Sequence, residues 1–226
     1  MKKALIIFTR VPEPGKTKTR LEKRFTKEEC ARIHEAMLRD LWPLCRTEEW
    51  DTFVYYTPEK KREKIEKLLP GAGEYLPQEE IAFGERMKNS IGNVLQSGYE
   101  ACLLVGTDIP VLSQKIISMA FKQLEEKPVV IGETMDHGYY LIGMTSLYGG
   151  IFDDQNYGTG SVYNDTVEKI KNCGCEFGTL PVLRDIDEPE DIDAYWIEFG
   201  GNEKSTINNT RKCLCELNQK YFFDKN

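Results

Sequence analysis

Short apolar runs and amphipathic stretches alternate along the chain. Lys3 to Phe8 is a brief isoleucine-rich run of the buried-strand type, and Arg10 to Arg24 is a loop of prolines, glycine and basic residues. Thr26-Lys27-Glu28-Glu29 then has the form of a capping box, and Cys30, Ile33, Met37, Leu38, Leu41 and Leu44 follow at helical spacing. Asp51 to Thr57 is aromatic and β-branched and predicts a second strand; Pro58 opens a charged helix that Pro70-Gly71 ends. A helix is expected over Gly84 to Tyr99, a fully buried strand over Ala101 to Gly106, and a helix capped by Ser113 running to Leu124.

After Pro128 the rhythm changes. Val129 to Gly132 and Tyr139 to Gly143 are strand-like runs joined by a short polar loop, and so short a return predicts antiparallel pairing. Ser161 to Asn172 reads as a helix, Glu176 to Leu183 as a last strand, and Glu188 to Phe199 as a helix with Pro189 in its first turn. Gly200-Gly201-Asn202 is the linker candidate, ahead of a terminal helix over Asn208 to Phe222, packed on the body or swapped onto a neighbour in a homodimer. Residues 1–199 are thus expected to form one domain and 200–226 a linker and helix. Buried strands joined by helices imply an α/β fold, a mostly parallel mixed sheet covered on both faces with one antiparallel hairpin. Ligands of such sheets bind beyond the carboxyl ends of the strands, which directs attention to Thr9–Arg20, Thr107–Leu112 and Arg184–Asp187.

The composition, 40 % hydrophobic and 30 % charged over 226 residues, is ordinary for a globular chain. A net charge of −7 argues against generic nucleic-acid binding. No apolar run approaches the about 18 residues of a membrane span, and the N-terminal run ends at Arg10 without a cleavage signal, so a cytoplasmic protein is expected. Seven cysteines, an odd number, suggest reduced thiols. The pairs Cys173/Cys175 and Cys213/Cys215 have the wrong spacing for a four-thiolate zinc site.

Three loops carry the candidate chemistry. Gly15-Lys16-Thr17 is not a P-loop, because Arg10 stands where the first Walker glycine belongs and Pro12 and Pro14 lack N–H donors. The loop instead gathers Arg10, Lys16, Lys18 and Arg20 after a buried strand, with Gly15 free to approach a ligand, a set suited to a di- or triphosphate; a solvated basic loop is the alternative. Asp108 follows the strand at Ala101 to Gly106 and could hold a divalent ion with phosphate oxygens, or simply form a turn. Asp185 and Asp187 offer further carboxylates; Asp187 also suits a helix N-cap with Glu190 as its box partner. At the hairpin tip, Asp136, His137, Tyr139 and Tyr140 could hold a ring or act as acid or base, or form a surface turn.

In this order, the motifs FTRVPEPGKTKTRL, FGERM (Phe83–Met87), VGTDIPVL (Val105–Leu112), DHGYYLIGM (Asp136–Met144) and DIDEPEDI (Asp185–Ile192) resemble the bacterial glycosyltransferase family associated with arsenosugar biosynthesis. That family is similar to the molybdenum-cofactor and phospholactate nucleotidyltransferases and shares their Rossmann-like three-layer nucleotide-diphospho-sugar transferase (GT-A) fold. The resemblance spans about residues 3 to 197. It implies that Thr9, Arg10, Gly15, Lys18 and Arg20 form a nucleotide loop, that Arg86 belongs to the nucleotide side, and that Asp108 is the metal aspartate of the G-T-D-x-P motif. Asp136 to Tyr140 would face the acceptor or sugar. The family usually reads Asp-Gly-Gly-Tyr-Tyr, so His137 replaces a glycine, which either reshapes acceptor choice or signals lost activity.

The expectation is a transferase dependent on Mg2+ or Mn2+, with Arg10, Lys18 and Asp108 central to catalysis and Asp185 and Asp187 as further metal candidates. Its partners would be a nucleotide-sugar or NTP and a small-molecule acceptor. A glycosyltransferase using an NDP-sugar comes first, a nucleotidyltransferase joining an NTP to a phosphorylated acceptor second, and a non-catalytic nucleotide-binding module on a decayed transferase fold third.

Overall fold

The computed structural model describes residues 1–200 and 208–222, with side chains through 198 and over 208–217. Gly201 and Asn202, two of the three linker residues, lie outside the described residues. Seven strands, β1 (Lys3–Arg10), β2 (Asp51–Thr57), β3 (Glu74–Pro77), β4 (Ala101–Val105), β5 (Val129–Glu133), β6 (Tyr139–Met144) and β7 (Phe177–Thr179), form one sheet in the order β3-β2-β1-β4-β6-β5-β7. All neighbours pair in parallel except β6, which runs against both β4 and β5. The predicted antiparallel hairpin is therefore β5–β6, wedged into an otherwise parallel sheet.

The helices are α1 (Lys27–Cys45), α2 (Arg62–Leu68), α3 (Phe83–Gln96), α4 (Gln114–Gln123), α5 (Val162–Asn172), α6 (Pro189–Tyr195) and α7 (Asn209–Phe222). The buried run in β1 is split between two faces by the pleat. Leu5 and Ile7 pack with Leu38 and Leu41 of α1 and with Ile117 and Phe121 of α4. Ala4, Ile6 and Phe8 pack with Met87, Ile91 and Val94 of α3 and with Ile170 of α5. This is the three-layer α/β/α arrangement that unbroken apolar strands call for. Thr26 caps α1 with the expected box, its hydroxyl accepting from Glu29 N and the Glu29 carboxylate from Thr26 N.

Cys30, Ile33 and Met37 face away from the sheet, toward Ile192 and Tyr195 of α6 and Leu214 and Leu217 of α7, so α1 is covered on two sides. Asp40 of α1 fixes the start of α7 by accepting from Asn209 N at 2.7 Å and Thr210 N at 2.8 Å. Among the described residues no helix is long and apolar enough to cross a membrane.

Several boundaries differ from the expectations. β3 was not foreseen: Glu74-Tyr75-Leu76-Pro77 has no apolar run and exists as an edge strand because β2 offers it backbone partners. The last strand stops at Thr179 because Pro181 has no N–H to donate, although Leu180 N and Leu183 N still bond the carbonyls of Ile131 and Glu133. The helix expected to reach Phe199 ends at Tyr195 and continues as a π-turn, Trp196–Gly200. Its cap is Glu188 rather than Asp187, and the box partner is Asp191 rather than Glu190: the Asp191 carboxylate accepts from the N–H groups of both Asp187 and Glu188.

Gly84, in the first turn of α3, permits a close helix approach. A Cβ there would lie 2.6 Å from the Phe152 carbonyl oxygen and 3.0 Å from the Tyr157 ring. Gly84→Ala is accordingly expected to cost about 1–3 kcal/mol of stability, read as a lowered midpoint in urea; an unchanged midpoint would mean that the segment around Phe152 yields freely.

Candidate functional site

A cavity of about 410 Å3 opens at the carboxyl edge of the sheet, where the ends of β1 and β4 meet the hairpin tip and the segment after β7. Of the residues singled out in the sequence, Thr9, Arg10, Lys18, Arg20, Arg86, Asp108, Asp136, Tyr139, Tyr140, Asp185 and Asp187 all line it. Gly15, Lys16 and His137 do not, and Lys16 is exposed. Gly15 has φ +70° and serves the turn of the loop, with the Lys27 stem packed beside it, so its role is conformational rather than the expected ligand approach.

Lys18 is the hub. Its side chain is 4 % exposed, and Nζ donates to Asp108 Oδ1 at 2.6 Å, Asp187 Oδ1 at 3.0 Å and the Ile186 carbonyl at 2.6 Å. Burial acts to lower the ammonium's pKa, but the Asp108 and Asp187 carboxylates outweigh it and the net shift is upward. Arg20 adds a second bond to Asp187, at 3.0 Å. Asp187, expected as an N-cap or metal ligand, is therefore held by two cations.

Two like-charged pairs flank this hub. Arg86 donates from NH1 to Gln78 Oε1 at 3.0 Å, while its buried Nε makes no hydrogen bond. Burial, and then the nearby Arg10 guanidinium, lower its pKa. Arg10 itself has no ion-pair partner among the described residues. At the opposite end, Asp185 is pushed up to about 7 by burial first and by the Asp136 carboxylate second. Asp136 accepts from Gly138 N at 3.0 Å and from the Thr134 hydroxyl, and neither carboxylate has an ion pair among the described residues. Among the described residues the cavity thus has a guanidinium end without an ion-paired anion and a carboxylate end without an ion-paired cation.

Magnesium and manganese take hard oxygen ligands, often one or two carboxylates with the remainder from phosphate and water. Asp108 fits that pattern, being an oxygen donor at a rigid strand end and 43 % exposed although Oδ1 meets Lys18. Among the described residues no group of three or more His, Cys, Asp or Glu is placed to hold an ion by itself. Asp108, Asp185 and Asp187 therefore do not converge as one ligand set, and an ion beside Asp108 would draw mainly on substrate oxygens and water.

The two hairpin tyrosines are more structural than expected. Tyr140 is buried, with its hydroxyl donating to the Pro181 carbonyl at 3.0 Å. Tyr139 directs its hydroxyl toward Tyr157 at 3.5 Å and Met87 Sδ at 3.8 Å.

Among the cavity-wall residues to which the sequence had assigned no role are Gln78, Phe83, Tyr157 and His34. Gln78 donates from Nε2 to the carbonyls of Thr9 and Tyr55 and orients Arg86; it follows β3, the strand with no apolar signal. Phe83 and Tyr157 stack edge to face at 4.9 Å, with the Arg86 guanidinium 5.3 Å from the Phe83 ring. His34 is a buried histidine on the inner face of α1, where a polar residue among apolar neighbours was the available signal.

His137 lies outside the cavity wall, with Nδ1 3.0 Å from Glu133 Oε1. Its φ of 65° is the left-handed conformation that glycine adopts without penalty, so the turn is one that a glycine would also fit. Relief of that strain should make His137→Gly more stable by about 1 kcal/mol, measured by thermal unfolding; a loss of stability would show that the contact with Glu133 outweighs the backbone strain.

A candidate nucleotide-diphospho-sugar transferase from Desulfovibrio desulfuricans G20 superposes with a TM-score of 0.90 at 29 % identity, over 99 % of this chain and 98 % of its own. CMP:2-keto-3-deoxy-manno-octonic acid synthetase, solved with CTP, gives 0.53 at 9 % identity over 88 % of this chain and 99 % of its own. Rv0371c of Mycobacterium tuberculosis H37Rv, solved with manganese, gives 0.53 at 10 % over 86 % and 97 %. The last two share the fold. No curated protein matches the chain. The fold is of the nucleotide-diphospho-sugar transferase kind. Residues 42–159, just over half of the chain, match DUF2064, described as uncharacterized proteins conserved in bacteria, and the chain belongs to that family.

Proposed function

We propose that the protein is a transferase that takes a nucleotide-activated donor, and specifically a glycosyltransferase that uses an NDP-sugar. The observation that carries this reading is the division of the cavity between two guanidiniums, Arg10 and Arg86, and two carboxylates, Asp136 and Asp185, none of which has an ion-pair partner among the described residues. The first pair suits the diphosphate of the donor. The second suits hydroxyl groups, which donate to carboxylates, and repels a phosphorylated acceptor.

In the reaction, the bond between the anomeric carbon and the diphosphate oxygen breaks. An acceptor hydroxyl oxygen bonds to that carbon, its proton passes to Asp136 or Asp185, and the nucleoside diphosphate leaves. Arg10, Lys18 and Arg86 stabilise the charge that builds on the leaving diphosphate. Arg20, between Asp187 and solvent, borders the same end. Asp108 would hold Mg2+ or Mn2+, which would supply further charge neutralisation at the diphosphate. Phe83 and Tyr157 offer aromatic surface beside the guanidinium end for the base.

A nucleotidyltransferase joining an NTP to a phosphorylated acceptor needs a second cationic subsite, and the carboxylates stand where that acceptor would bind. The decayed-module reading rests on His137, whose turn a glycine would also fit. The protein's acidic charge suits a small-molecule enzyme, which we place in the cytoplasm.

Calorimetric titration with a panel of nucleoside diphosphates and NDP-sugars, with and without Mn2+, tests the reading. Arg86→Met should weaken the best ligand by about tenfold or more, the loss of a charged hydrogen bond. Asp108→Ala should abolish the dependence on Mn2+. Absence of nucleotide binding by the wild type, or undiminished metal-linked binding by Asp108→Ala, overturns it. Pyrophosphate release from an NTP and an acceptor pool would favour the nucleotidyltransferase instead.

A further inference from the structure

His34 is 3 % exposed and sits among three threonines, each at a different part of the cavity wall. Nδ1 is hydrogen-bonded to the Thr17 hydroxyl. Nε2 lies 3.2 Å from the Thr107 hydroxyl and 3.5 Å from that of Thr9. The Thr9 hydroxyl donates to the Arg10 carbonyl at 2.9 Å, which leaves it an acceptor toward the ring. This places the ring proton on Nε2 and makes Nδ1 the acceptor from Thr17. Burial first, and then the positive charges of Lys18 and Arg10, push the imidazole's pKa down to about 3. The ring is neutral throughout the physiological range, with one donor and one acceptor, as this bridge requires.

The two threonines at its ends are the immediate predecessors of the two residues that matter most to the site. Thr17 precedes Lys18 and Thr107 precedes Asp108, and the Lys18 ammonium meets the Asp108 carboxylate at 2.6 Å. We propose that His34 is a positioning residue, a rigid neutral spacer that links Thr17 to Thr107 and so sets the distance between Lys18 on the basic loop and Asp108 at the end of β4. The loop needs such a brace. It leaves β1 through Pro12, Pro14 and a left-handed Gly15, and Lys18 itself has a left-handed backbone, φ 50° and ψ 40°. Such a conformation persists in a residue other than glycine only where its surroundings enforce it. His34 supplies the contact from α1, whose capping box and packing on two faces make it a stiff support. Under the function proposed above, this spacing fixes the ammonium's charge in the cavity wall, where it would act on a diphosphate through space, its three N–H groups being taken by Asp108, Asp187 and Ile186; the spacing itself can be tested without any substrate.

The test compares His34→Phe, which fills the volume without hydrogen bonds, with His34→Gln, which keeps a donor and an acceptor. Modification of lysines in the intact full-length protein by an amine reagent is followed by mass spectrometry, with exposed Lys16 and Lys60 as internal references. Lys18 should be protected in the wild type, and His34→Phe should raise its labelling rate by about tenfold or more while the references stay constant. His34→Gln should remain within about threefold of wild type. Thr107→Val, nearly isosteric and lacking the hydroxyl, should expose Lys18 as well, and it serves if His34→Phe does not fold. Inorganic pyrophosphate binding, measured by calorimetry, should weaken in parallel with labelling. Unchanged Lys18 protection in both folded His34→Phe and Thr107→Val overturns the proposal, as does His34→Gln behaving like His34→Phe. If the wild type fails to bind pyrophosphate while labelling follows the expected order, the spacer stands and the diphosphate reading falls.

Discussion

The whole carboxyl edge of the sheet depends on burying one ammonium group. An isolated lysine charge in a protein interior is strongly unfavourable, and it is tolerated only when paired and fully hydrogen-bonded. Lys18 meets that condition through three oxygens that belong to distant parts of the chain: Asp108 after β4, and Ile186 and Asp187 ahead of α6. These segments cannot separate without stranding a charge. The other elements around the cavity are arranged about this tie. Ile186 N bonds the Asp108 carbonyl at 2.9 Å, Arg20 completes Asp187, and the Glu188 side chain, accepting from the Asp191 N–H, leaves Asp187 free of capping duty.

The surplus charge of the cavity is what remains once that tie is made. Lys18 and Arg20 are satisfied by Asp108 and Asp187, so Arg10 and Arg86 on one side and Asp136 and Asp185 on the other are left without protein partners of opposite sign. Like charges brought together at a partly buried site are costly unless a ligand compensates them. The electrostatic cost is thus local, and it has a different sign at each end.

Most of the architecture could be read from the chain because its strands are apolar and its helices periodic. β1 and β4 are buried runs, α1 carries its capping box, and the short turn between β5 and β6 admits only antiparallel pairing. β3 was hidden because its stability comes from the edge of β2 rather than from its own side chains. The cap at Glu188 was misplaced by one residue because Asp187, Glu188 and Asp191 are all acceptors, and what separates them is the tertiary demand of Lys18 on Asp187. The basic loop and the aspartates were legible as residue types in the right loops. Their pairing was not, since the Lys18–Asp187 contact spans most of the chain. His34 and Gln78 escaped notice for a related reason: each acts through buried hydrogen bonds to distant groups, which leave no periodic trace.

The reversed direction of β6 makes the two ends of the cavity separable units of change. The cationic end is built from the exit of β1 and the first turn of α3, both anchored in the parallel core. The carboxylate end hangs partly on a hairpin tip, and such a turn can vary in sequence without disturbing crossover helices. The residues of the carboxylate end are therefore free to vary while the cationic end is retained, and His137, left-handed in the turn beside an Asp136 that lines the cavity wall, is confined to that tip.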